Sequence, residues 1–259
     1  MDHRDVGRHW DGIAPTWTAM GRGGYDHYRD SFNTPAFLEM LPDVQGLKGL
    51  DIGCGEGHNT RLLVEAGASM AAIDISGVFL QYANEIQPEG REINYSNASA
   101  VELPFKTGQF DFVAGFMSFM DIPEIELVLK EAFRVIKPGG FLQFSITHPC
   151  FDTPHRVKHY NLDGTTKAYE IGDYFNVLYE DFVELNKPGS KGAALGFPSI
   201  HIPRFNRTLS QWVNAIVDAG FTLEKMNEPH PSDENVKRFP NVQDSQVVPY
   251  FLHIRCRKQ

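Results

Sequence analysis

Cysteine is scarce in this chain, which has only three such residues among 259. Cys54, Cys150 and Cys256 lie far apart and are odd in number, so they predict neither a disulfide framework nor a Cys-x-x-Cys zinc site. The ten histidines form no cluster with convincing ligand spacing, either among themselves or with aspartate. We therefore expect no metal cofactor.

The sequence also has no long apolar run and no excess of positive charge. No run approaches the ~18 residues of a membrane-spanning helix, and the first residues, Met1–Asp5, contain no apolar signal core. We therefore expect a cytoplasmic protein that does not contact a membrane. Lys and Arg number 24 against 33 Asp and Glu, a formal net charge of -9 that opposes binding to a nucleic-acid backbone.

What the sequence does contain is an alternation of strand and helix patterns. Hydrophobic residues make up 42% of it, which is enough for a sizeable core. Seven segments are typical of strands, namely Leu47–Ile52, Met70–Ile75, Ile93–Ser96, Phe110–Phe116, Phe141–Thr147, Phe221–Met226 and Val247–Arg255. The predicted N-caps of intervening helices are Ser76, Asp121 and the Thr208–Gln211 pair. This alternation predicts the α/β class, a mainly parallel sheet with helices on both faces.

The alternation stops between His148 and Phe205, where no strong helical period is found. Asp163-Gly164 is typical of a hairpin turn, and aromatic residues around it suggest short strands, namely Tyr169, Tyr174, Phe175, Tyr179 and Phe182. Because a structureless loop of this length is rare, we interpret residues 148–205 as an inserted substrate lid. We interpret residues 1–45 as a helical N-terminal cap, and residues 46–147 with 206–259 as one α/β domain.

A glycine-rich turn follows the first predicted strand, in the order Asp51-Ile52-Gly53-Cys54-Gly55-Glu56-Gly57, and a helix follows the turn. Glycines allow close ligand approach and the helix N-terminus provides N–H donors, so the turn is typical of nucleotide binding. A dinucleotide fingerprint needs glycine at position 58, where the chain has His58, and a phosphate-binding loop needs Gly-Lys-Ser/Thr. Asp51 would repel a pyrophosphate but attract an α-amino group. The turn thus favours a nucleotide that carries a cationic amino acid over NAD.

This turn and four later motifs resemble the class I S-adenosylmethionine-dependent methyltransferases, in their small-molecule type 11 branch. The matching motifs are Leu50-Asp51-Ile52-Gly53-Cys54-Gly55-Glu56-Gly57, Ile73-Asp74-Ile75-Ser76, Leu103-Pro104-Phe105 with Phe110-Asp111-Phe112-Val113, Arg134-Val135-Ile136-Lys137-Pro138-Gly139-Gly140, and Arg207-Thr208-Leu209-Ser210 running to Ala219-Gly220-Phe221. They occur in the family's order and spacing over residues 47–147 and 207–228. A single motif would be weak evidence, whereas the ordered set is specific.

The resemblance implies a doubly wound, seven-stranded sheet of order 3-2-1-4-5-7-6, whose last strand is antiparallel. It implies S-adenosyl-L-methionine as the cofactor and S-adenosyl-L-homocysteine as its product. Asp74 would accept both ribose hydroxyls, and Ile75 would lie against the adenine face. Asn97 with Ala98 would recognise the adenine edge, where the family usually has Asp-Ala. The implied cofactor-binding residues are Asp51, Gly53, Cys54, Gly55, Gly57, Asp74, Ile75, Asn97, Ala98, Phe116 and Met117.

Candidates for the transfer step lie outside these motifs. His148 follows the fifth predicted strand at the edge where ligands bind, which makes it a candidate general base; alternatively, it shapes the turn before Pro149. Tyr25, in the N-terminal segment, is a second catalytic candidate. The candidate substrate contacts are Tyr28, Arg29, Tyr174, Phe175, His201 and Arg204, although aromatic residues also form the cores of small subdomains.

We predict a methyltransferase that transfers a methyl group by in-line displacement to O, N or C of a small aromatic or apolar molecule. The alternative enzyme is a methyltransferase acting on RNA or protein, and the alternative outside enzymes is a catalytically silent cofactor-binding interaction protein. His58 disfavours a dehydrogenase. We expect a small-molecule acceptor, no nucleic acid and no membrane as partners, and a monomer or homodimer.

Overall fold

A seven-stranded sheet forms the centre of the protein in a computed structural model that describes residues 1–176 and 181–259. The sheet contains β1 to β5, β10 and β11, and two further strand pairs lie outside it. The strands are β1 (Lys48–Ile52), β2 (Ser69–Asp74), β3 (Asn94–Asn97), β4 (Phe110–Phe116), β5 (Ile136–Thr147), β6 (His155–Tyr160), β7 (Thr166–Gly172), β8 (Asp181–Leu185), β9 (Ile200–Arg204), β10 (Thr222–Asn227) and β11 (Phe251–Arg257).

The strand order of the sheet is β3-β2-β1-β4-β5-β11-β10. Strands β1 to β5 run parallel to one another, whereas β11 runs antiparallel to both β5 and β10. The predicted class, the predicted order and the antiparallel last strand are therefore confirmed. The chain order reverses between β1 and β4, and ligands of such sheets bind outside the carboxyl ends of the strands at this reversal.

Helices pack on both faces of the sheet. They are α1 (His3–Arg22), α2 (Thr34–Met40), α3 (His58–Glu65), α4 (Gly77–Glu85), α5 (Ile125–Val135), α6 (Lys191–Ala194), α7 (Leu209–Asp218) and α8 (Asp233–Arg238). The predicted caps of α4 and α7 are confirmed, since Ser76 Oγ accepts from the Phe79 amide and Thr208 forms a capping box with Gln211. Within the described ranges, no helix combines the length and apolar character that crossing a membrane requires.

Alternating side chains of each strand form a core on both faces of the sheet. On β4, Val113 points into the cluster that α5 and α7 cover, whereas Phe112 and Ala114 point into the cluster that α3 covers. The Phe112 ring stacks on that of Phe141 in β5, with 5.2 Å between centroids. This packing on two faces fixes the strand register, and with it the positions of the strand ends.

The helix that was expected to start at Asp121 begins further along the chain, at Ile125. Residues 119–121 form a 3-10 turn instead. Ile122 precedes Pro123, and a proline ring excludes the residue before it from the helical region, so Ile122 has φ -110° and ψ 120°. The expected N-cap role of Asp121 is therefore wrong. Its carboxyl group is buried, which raises its pKa well above the ordinary value.

Two strand starts differ from the sequence prediction by four or five residues, whereas the other strand boundaries agree to within two residues. β5 begins at Ile136 rather than Phe141, because its first residues continue to pair with β4 across an irregularity in register. β11 begins at Phe251 rather than Val247, because a 3-10 helix, Pro240–Gln246, occupies the preceding segment. Neither difference moves the carboxyl ends of β1, β2 and β4.

The inserted segment contains two antiparallel strand pairs, β6 with β7 and β8 with β9. The predicted turn joins the first pair, where Asp163 Oδ1 accepts from the Thr165 amide at 2.9 Å. The second pair lies against α1, with His9 Nε2 2.6 Å from the His201 carbonyl oxygen. Tyr179 lies outside the described residues. The insert and the N-terminal helix thus meet above the sheet.

Alanine at Gly49 in β1 should destabilise the sheet. A Cβ at this position would clash with the Phe112 ring and would lie 2.5 Å from Met70 Sδ, so both side chains would have to move. We expect Gly49→Ala to lower the free energy of unfolding by about 1–3 kcal/mol, the usual cost of overpacking a core. Urea unfolding followed by circular dichroism measures this change.

Gly12→Ala in α1 is the matched control, because a Cβ at Gly12 meets no atom within 4 Å. It should leave stability unchanged or raise it by about 1 kcal/mol, since alanine favours helix more than glycine does. Equal effects of the two substitutions would contradict the described packing of β1.

Candidate functional site

The turn between β1 and α3 has a backbone conformation that glycine adopts most readily. Gly53, Gly55 and Gly57 have φ angles of 73°, 55° and 81°. A side chain at Gly53 would collide with Ser118 and one at Gly57 with Tyr95, whereas a Cβ at Gly55 would meet no atom within 4 Å. The turn is therefore held closely at two positions and open to a ligand at the third.

Backbone hydrogen bonds fix this turn to β2. The amides of Gly53 and Cys54 donate to the Ile73 carbonyl at 2.9 Å and 3.0 Å. Gly57 precedes α3 without a side-chain cap, which leaves first-turn amides available to a ligand. Burial raises the pKa of the Cys54 thiol well above its ordinary value, so this cysteine is a neutral part of the turn.

Asp51 lies at the carboxyl end of β1 and is almost completely buried, with 1% of its surface exposed. Oδ2 accepts from Thr60 Oγ1 at 2.5 Å, whereas Oδ1 has no hydrogen-bond partner in the described part of the chain. Burial raises the pKa of Asp51 to about 7; the Thr60 hydrogen bond opposes this rise and the Asp74 charge adds to it. A cationic donor from a ligand would satisfy Oδ1 and favour the ionised carboxylate.

Asp74 ends β2 beside the turn, and both of its carboxyl oxygens accept from backbone amides. Oδ2 accepts from Gly55 and Oδ1 from Ser76, each at 2.8 Å. Burial raises the pKa of Asp74 to about 6, while the two amides act in the opposite direction. Each carboxylate oxygen has a further lone pair, so Asp74 can also accept hydrogen bonds from ligand hydroxyls.

The three residues expected at the adenine lie together next to Asp74. Asn97 Nδ2 donates to the carbonyls of Asp74 and Ile75 at 3.0 Å and 2.9 Å, so its amide nitrogen is engaged within the chain. The Ala98 amide donates to the Asp74 carbonyl at 3.2 Å. The Ile75 side chain packs against Gly7 of α1, where a Cβ would lie 2.9 Å from Ile75 Cγ1. Helix α1 therefore covers this side of the sheet edge.

Phe116 and Met117 lie at and just beyond the carboxyl end of β4. The Phe116 ring packs on Phe37, with 3.9 Å between centroids. Met117 has φ 51°, and its amide donates to both the carbonyl and the hydroxyl oxygen of Ser145 at 3.1 Å. A non-glycine residue held in this conformation stores backbone strain, which is frequent at functional sites.

Helix α1 is fixed across the site by polar contacts at its middle and at its C-terminal end. Asp11 Oδ1 accepts from Ser76 Oγ at 2.7 Å. Arg22 contacts Glu56 of the glycine turn at 3.3 Å and Glu85 of α4 at 2.7 Å. Because Glu56 is itself buried, these contacts hold α1 down on the turn.

His148 follows β5, and both of its ring nitrogens have partners within the chain. Nδ1 accepts from the Cys150 amide at 3.2 Å, which puts the proton on Nε2 and lets Nε2 donate to Glu228 Oε1 at 2.8 Å. The residue is 3% exposed, and its amide donates to the Tyr250 carbonyl. Both ring nitrogens are thus engaged within the chain, and the contact with Cys150 fits the turn-shaping role.

The N-terminal candidates do not converge on one point. Tyr25 is 45% exposed and packs edge-on against Phe197, with 5.5 Å between centroids. The Tyr28 hydroxyl donates to Asp244 at 2.8 Å, and burial raises the pKa of Tyr28 above its ordinary value. Arg29 pairs with the next residue along the chain at 2.6 Å. Among the described residues, Tyr28 is the one of these three that forms a hydrogen bond with a distant part of the chain.

The candidates in the insert lie at two cavities. Tyr174 and Arg204 line a cavity of about 30 Å³ beyond β5, and the Tyr174 hydroxyl accepts from the Leu209 amide at 2.8 Å. His201 lines an open cavity of about 610 Å³ between α1 and the β8–β9 pair. Phe175 is 84% exposed and points into solvent. The first cavity holds no more than a water molecule, whereas the second has the volume of a small ligand.

Two histidines of the insert share a carboxylate. His155 and His159 contact Glu170 at 2.9 Å and 3.3 Å, which lowers the pKa of that carboxyl group. In residues 1–176 and 181–259, no group of three or more His, Cys, Asp or Glu side chains has a metal-binding arrangement.

Sequence reasoning missed three residues of the site. Thr60 lies in the first turn of α3, which places its hydroxyl over Asp51; a hydroxyl at this helix position is the signal that could have found it. Asp11 and Arg22 have their partners 65 and 34 residues away, so no local pattern could have indicated them.

These groups fit S-adenosylmethionine. The buried Asp51 Oδ1 without a partner suits an ammonium group, and the Asp74 carboxylate suits a pair of hydroxyls. The open side of Gly55 admits a ligand close to the backbone. A pyrophosphate would instead meet two carboxyl groups.

Comparison with known proteins gives a family match over the centre of the chain. A family model described as "Methyltransferase domain" (Methyltransf_11) matches residues 50–144. Malonyl-[acyl-carrier protein] O-methyltransferase from Pectobacterium atrosepticum is 30% identical over 131 residues, which are 49% of this chain and 51% of that protein. Demethylmenaquinone methyltransferase from Staphylococcus aureus is 34% identical over 101 residues, 38% of this chain and 42% of that protein. The chain thus spans about half the length of these curated relatives or less.

A solved structure extends the likeness to most of the fold. An S-adenosylmethionine-dependent methyltransferase from Mesorhizobium loti superposes with a TM-score of 0.70 at 26% identity, covering 86% of this chain and 96% of that one. The family match begins in β1 and ends in β5, so it includes the glycine turn and Asp74. Residues 50–144 therefore match the type 11 methyltransferase domain family, and most of the chain shares its fold with a solved S-adenosylmethionine-dependent methyltransferase.

Proposed function

We propose that this protein transfers a methyl group from S-adenosylmethionine to a small molecule. The observation that carries the proposal is the buried Asp51 Oδ1, an acceptor without a partner in the described chain, beside a turn that is open to a ligand at Gly55. A cationic amino group supplies the missing donor, whereas a pyrophosphate would be repelled. The named relatives support the same class of reaction.

In the proposed site, the ends of β1 and β2 bind the polar groups of the cofactor. Asp51 accepts from the ammonium group and Asp74 accepts from the ribose hydroxyls. Asn97 and Ile75 hold the adenine, and Met117 faces the methionine half. Binding at several separated points fixes the direction in which the reactive centre faces the acceptor.

When bound, S-adenosylmethionine supplies an electrophilic methyl group on a sulfonium centre, and S-adenosylhomocysteine is the product. The main task of the chain is then to align an acceptor atom in line with the leaving sulfur and to exclude water. Helix α1 serves the second purpose through Asp11 and Arg22, which hold it across the sheet edge. A dedicated base is needed only for acceptors that must lose a proton.

A small acceptor is favoured over RNA or a protein. Helix α1 and the insert meet above the sheet, where His9 contacts the backbone of His201, and this cover limits access for a large partner. The net charge of -9 also opposes a polynucleotide. The proposal treats residues 1–45 and 148–205 as the cover and the remainder as the cofactor-binding domain. It assigns acceptor contacts to Tyr28, Arg29, Tyr174, Phe175, His201 and Arg204, with Tyr25 as a catalytic candidate.

Calorimetry separates the proposed cofactor from the dinucleotide alternative. Titration of the purified chain with S-adenosylhomocysteine should show micromolar binding, and titration with NAD should show none, because a pyrophosphate would lie against Asp51 and Asp74. The reverse preference would refute the assignment. A protein that binds S-adenosylhomocysteine but transfers no methyl group to any small acceptor would match the silent interaction protein instead.

Asp74→Ala should weaken S-adenosylhomocysteine binding by about 1–3 kcal/mol, the usual loss for hydrogen bonds to a charged group. Asp111→Ala is the matched control, because Asp111 pairs with Lys137 at 2.6 Å near the opposite end of β4. Calorimetry measures both variants, and thermal unfolding shows whether each remains folded. Unchanged affinity in a folded Asp74→Ala protein would place the ribose site elsewhere.

Cofactor affinity should depend on pH through Asp51, whose pKa is about 7. Below this pKa the carboxyl group is neutral and loses its attraction for an ammonium group, so affinity should fall by up to about tenfold for each pH unit. Calorimetric titrations with S-adenosylhomocysteine from about pH 8 to about pH 5.5 measure this fall.

Asp51→Asn keeps the size of the side chain but cannot ionise. It should bind more weakly at the alkaline end and show a shallower pH profile than the wild-type chain. Asp74, with a pKa of about 6, titrates in both proteins, so the difference between the two profiles isolates Asp51. Identical profiles would mean that Asp51 does not meet the cation.

A further inference from the structure

Arg156 of β6 carries a positive charge that forms no ion pair within residues 1–176 and 181–259. Its Nε is buried and has no hydrogen-bond partner there. A buried donor without a partner costs about 1–3 kcal/mol, and more when the group is charged. Such a group in a folded protein therefore needs an acceptor from outside the described chain, such as a bound ligand.

Two tyrosine rings hold the Arg156 guanidinium in place. Its Cζ lies 4.1 Å from the ring centroid of Tyr169 and 5.2 Å from that of Tyr250. Contacts with aromatic faces stabilise the cation but do not use its N–H groups. The rings thus orient the guanidinium and leave its edge for a ligand.

Lys158, the next residue on the same face of β6, differs from Arg156 because its charge is paired. Lys158 pairs with Asp244 at 2.5 Å, and Asp244 also accepts from the Tyr28 and Tyr169 hydroxyls at 2.8 Å and 2.9 Å. The β6–β7 pair is therefore held against the body of the protein by Lys158 and Tyr169. Anchoring the hairpin in this way does not require the Arg156 charge.

Tyr250 connects Arg156 with the proposed transfer site. Its carbonyl accepts from the His148 amide just after β5 at 2.9 Å, and its ring lies 5.5 Å from that of Tyr28. Met117, just after β4, packs in the same cluster as Tyr28 and Tyr250. Arg156 therefore lies on the side of the sheet edge where Met117 would face the methionine half of the cofactor.

Burial raises the pKa of Tyr250, and the carboxylates of Asp152, Asp244 and Asp26 add to this rise, whereas Arg156 acts in the opposite direction. Asp152 lies in the turn after β5. No ion pair joins Asp152 to Arg156 in the described chain. An anionic ligand would therefore not have to displace an existing pair.

We propose that Arg156 binds an anionic group of the methyl acceptor, so that the substrate is a carboxylate or a phosphate rather than a neutral apolar molecule. This inference rests on the proposed methyltransferase function. The planar guanidinium donates two parallel hydrogen bonds to the paired oxygens that both groups present. Tyr169 and Tyr250 hold that plane fixed before the ligand arrives, which lowers the entropic cost of binding.

Nuclear magnetic resonance of the full chain tests the proposal directly. The proton–nitrogen correlation of Arg156 Nε is followed while benzoate or inorganic phosphate is added, with benzyl alcohol as the neutral analogue of benzoate. The signal should shift saturably with at least one anion and should not shift with benzyl alcohol. The two anions distinguish a carboxylate site from a phosphate site. A wild-type signal that responds to neither anion overturns the proposal.

Variants then test whether Arg156 itself binds the anion, and the affinity for the anion is measured through backbone amide signals. Arg156→Gln should weaken this affinity by tenfold or more, a change of about 1.4 kcal/mol. Lys167→Gln is the matched control, because Lys167 is an exposed lysine of β7 in the same hairpin, and the affinity of this variant should stay near that of the wild-type chain. Equal anion affinity in the wild-type and Arg156→Gln proteins would also overturn the proposal. If Arg156→Gln fails to fold, the wild-type titration still decides.

Calorimetry with S-adenosylhomocysteine on the same samples separates this inference from the proposed function. An Arg156→Gln protein that binds S-adenosylhomocysteine normally but has lost the anion supports an acceptor role. A wild-type chain that binds the anion at Arg156 but not S-adenosylhomocysteine refutes the methyltransferase proposal and, with it, the description of the anion as an acceptor.

Discussion

Two buried carboxyl groups at neighbouring strand ends are the constraint on which the site depends. Parallel pairing of β1 with β2 places Asp51 opposite Ala72, two residues before Asp74, so both groups reach the same edge of the sheet. Burial raises both pKa values, and the Asp74 charge adds to the rise at Asp51. The amides of Gly55 and Ser76 oppose the rise in the pKa of Asp74 but do not contact Asp51. The fold therefore leaves at Asp51 an uncompensated acceptor that a cation stabilises, and the glycine turn gives the cation access.

The segments outside the sheet complete the site by covering it. Helix α1 can approach Ile75 closely because Gly7 has no side chain, and Arg22 joins it to the buried Glu56 of the glycine turn. The β6–β7 pair approaches from the other side, through Lys158. Helix α1 and the β6–β7 pair are thus attached to the body of the protein by different residues.

The sequence predicted those features that arise from neighbouring residues. The α/β class followed from strand and helix periods, and the strand order followed from the family resemblance. The caps at Ser76 and Thr208 are short local patterns. The start of α5 was wrong because Pro123 acts on the residue before it. Contacts over long distances in the chain left no pattern to find. His148 was located at the sheet edge, but Glu228, 80 residues away, determines what its Nε2 does. Arg156 left no local pattern either, because its environment depends on Tyr250, which is distant in the chain.

Asp244 has a consequence for the order in which the protein folds during synthesis. Its partners Tyr28, Lys158 and Tyr169 are made 216, 86 and 75 residues earlier, and they cannot be joined until Asp244 has left the ribosome. By contrast, Gly55 and Asp74 are only 19 residues apart. Because chains grow at about 5–20 residues per second and local contacts form far faster, the glycine turn can join Asp74 before Asp244 has been made. An emerging chain would thus form the glycine turn first and the contacts of Asp244 last.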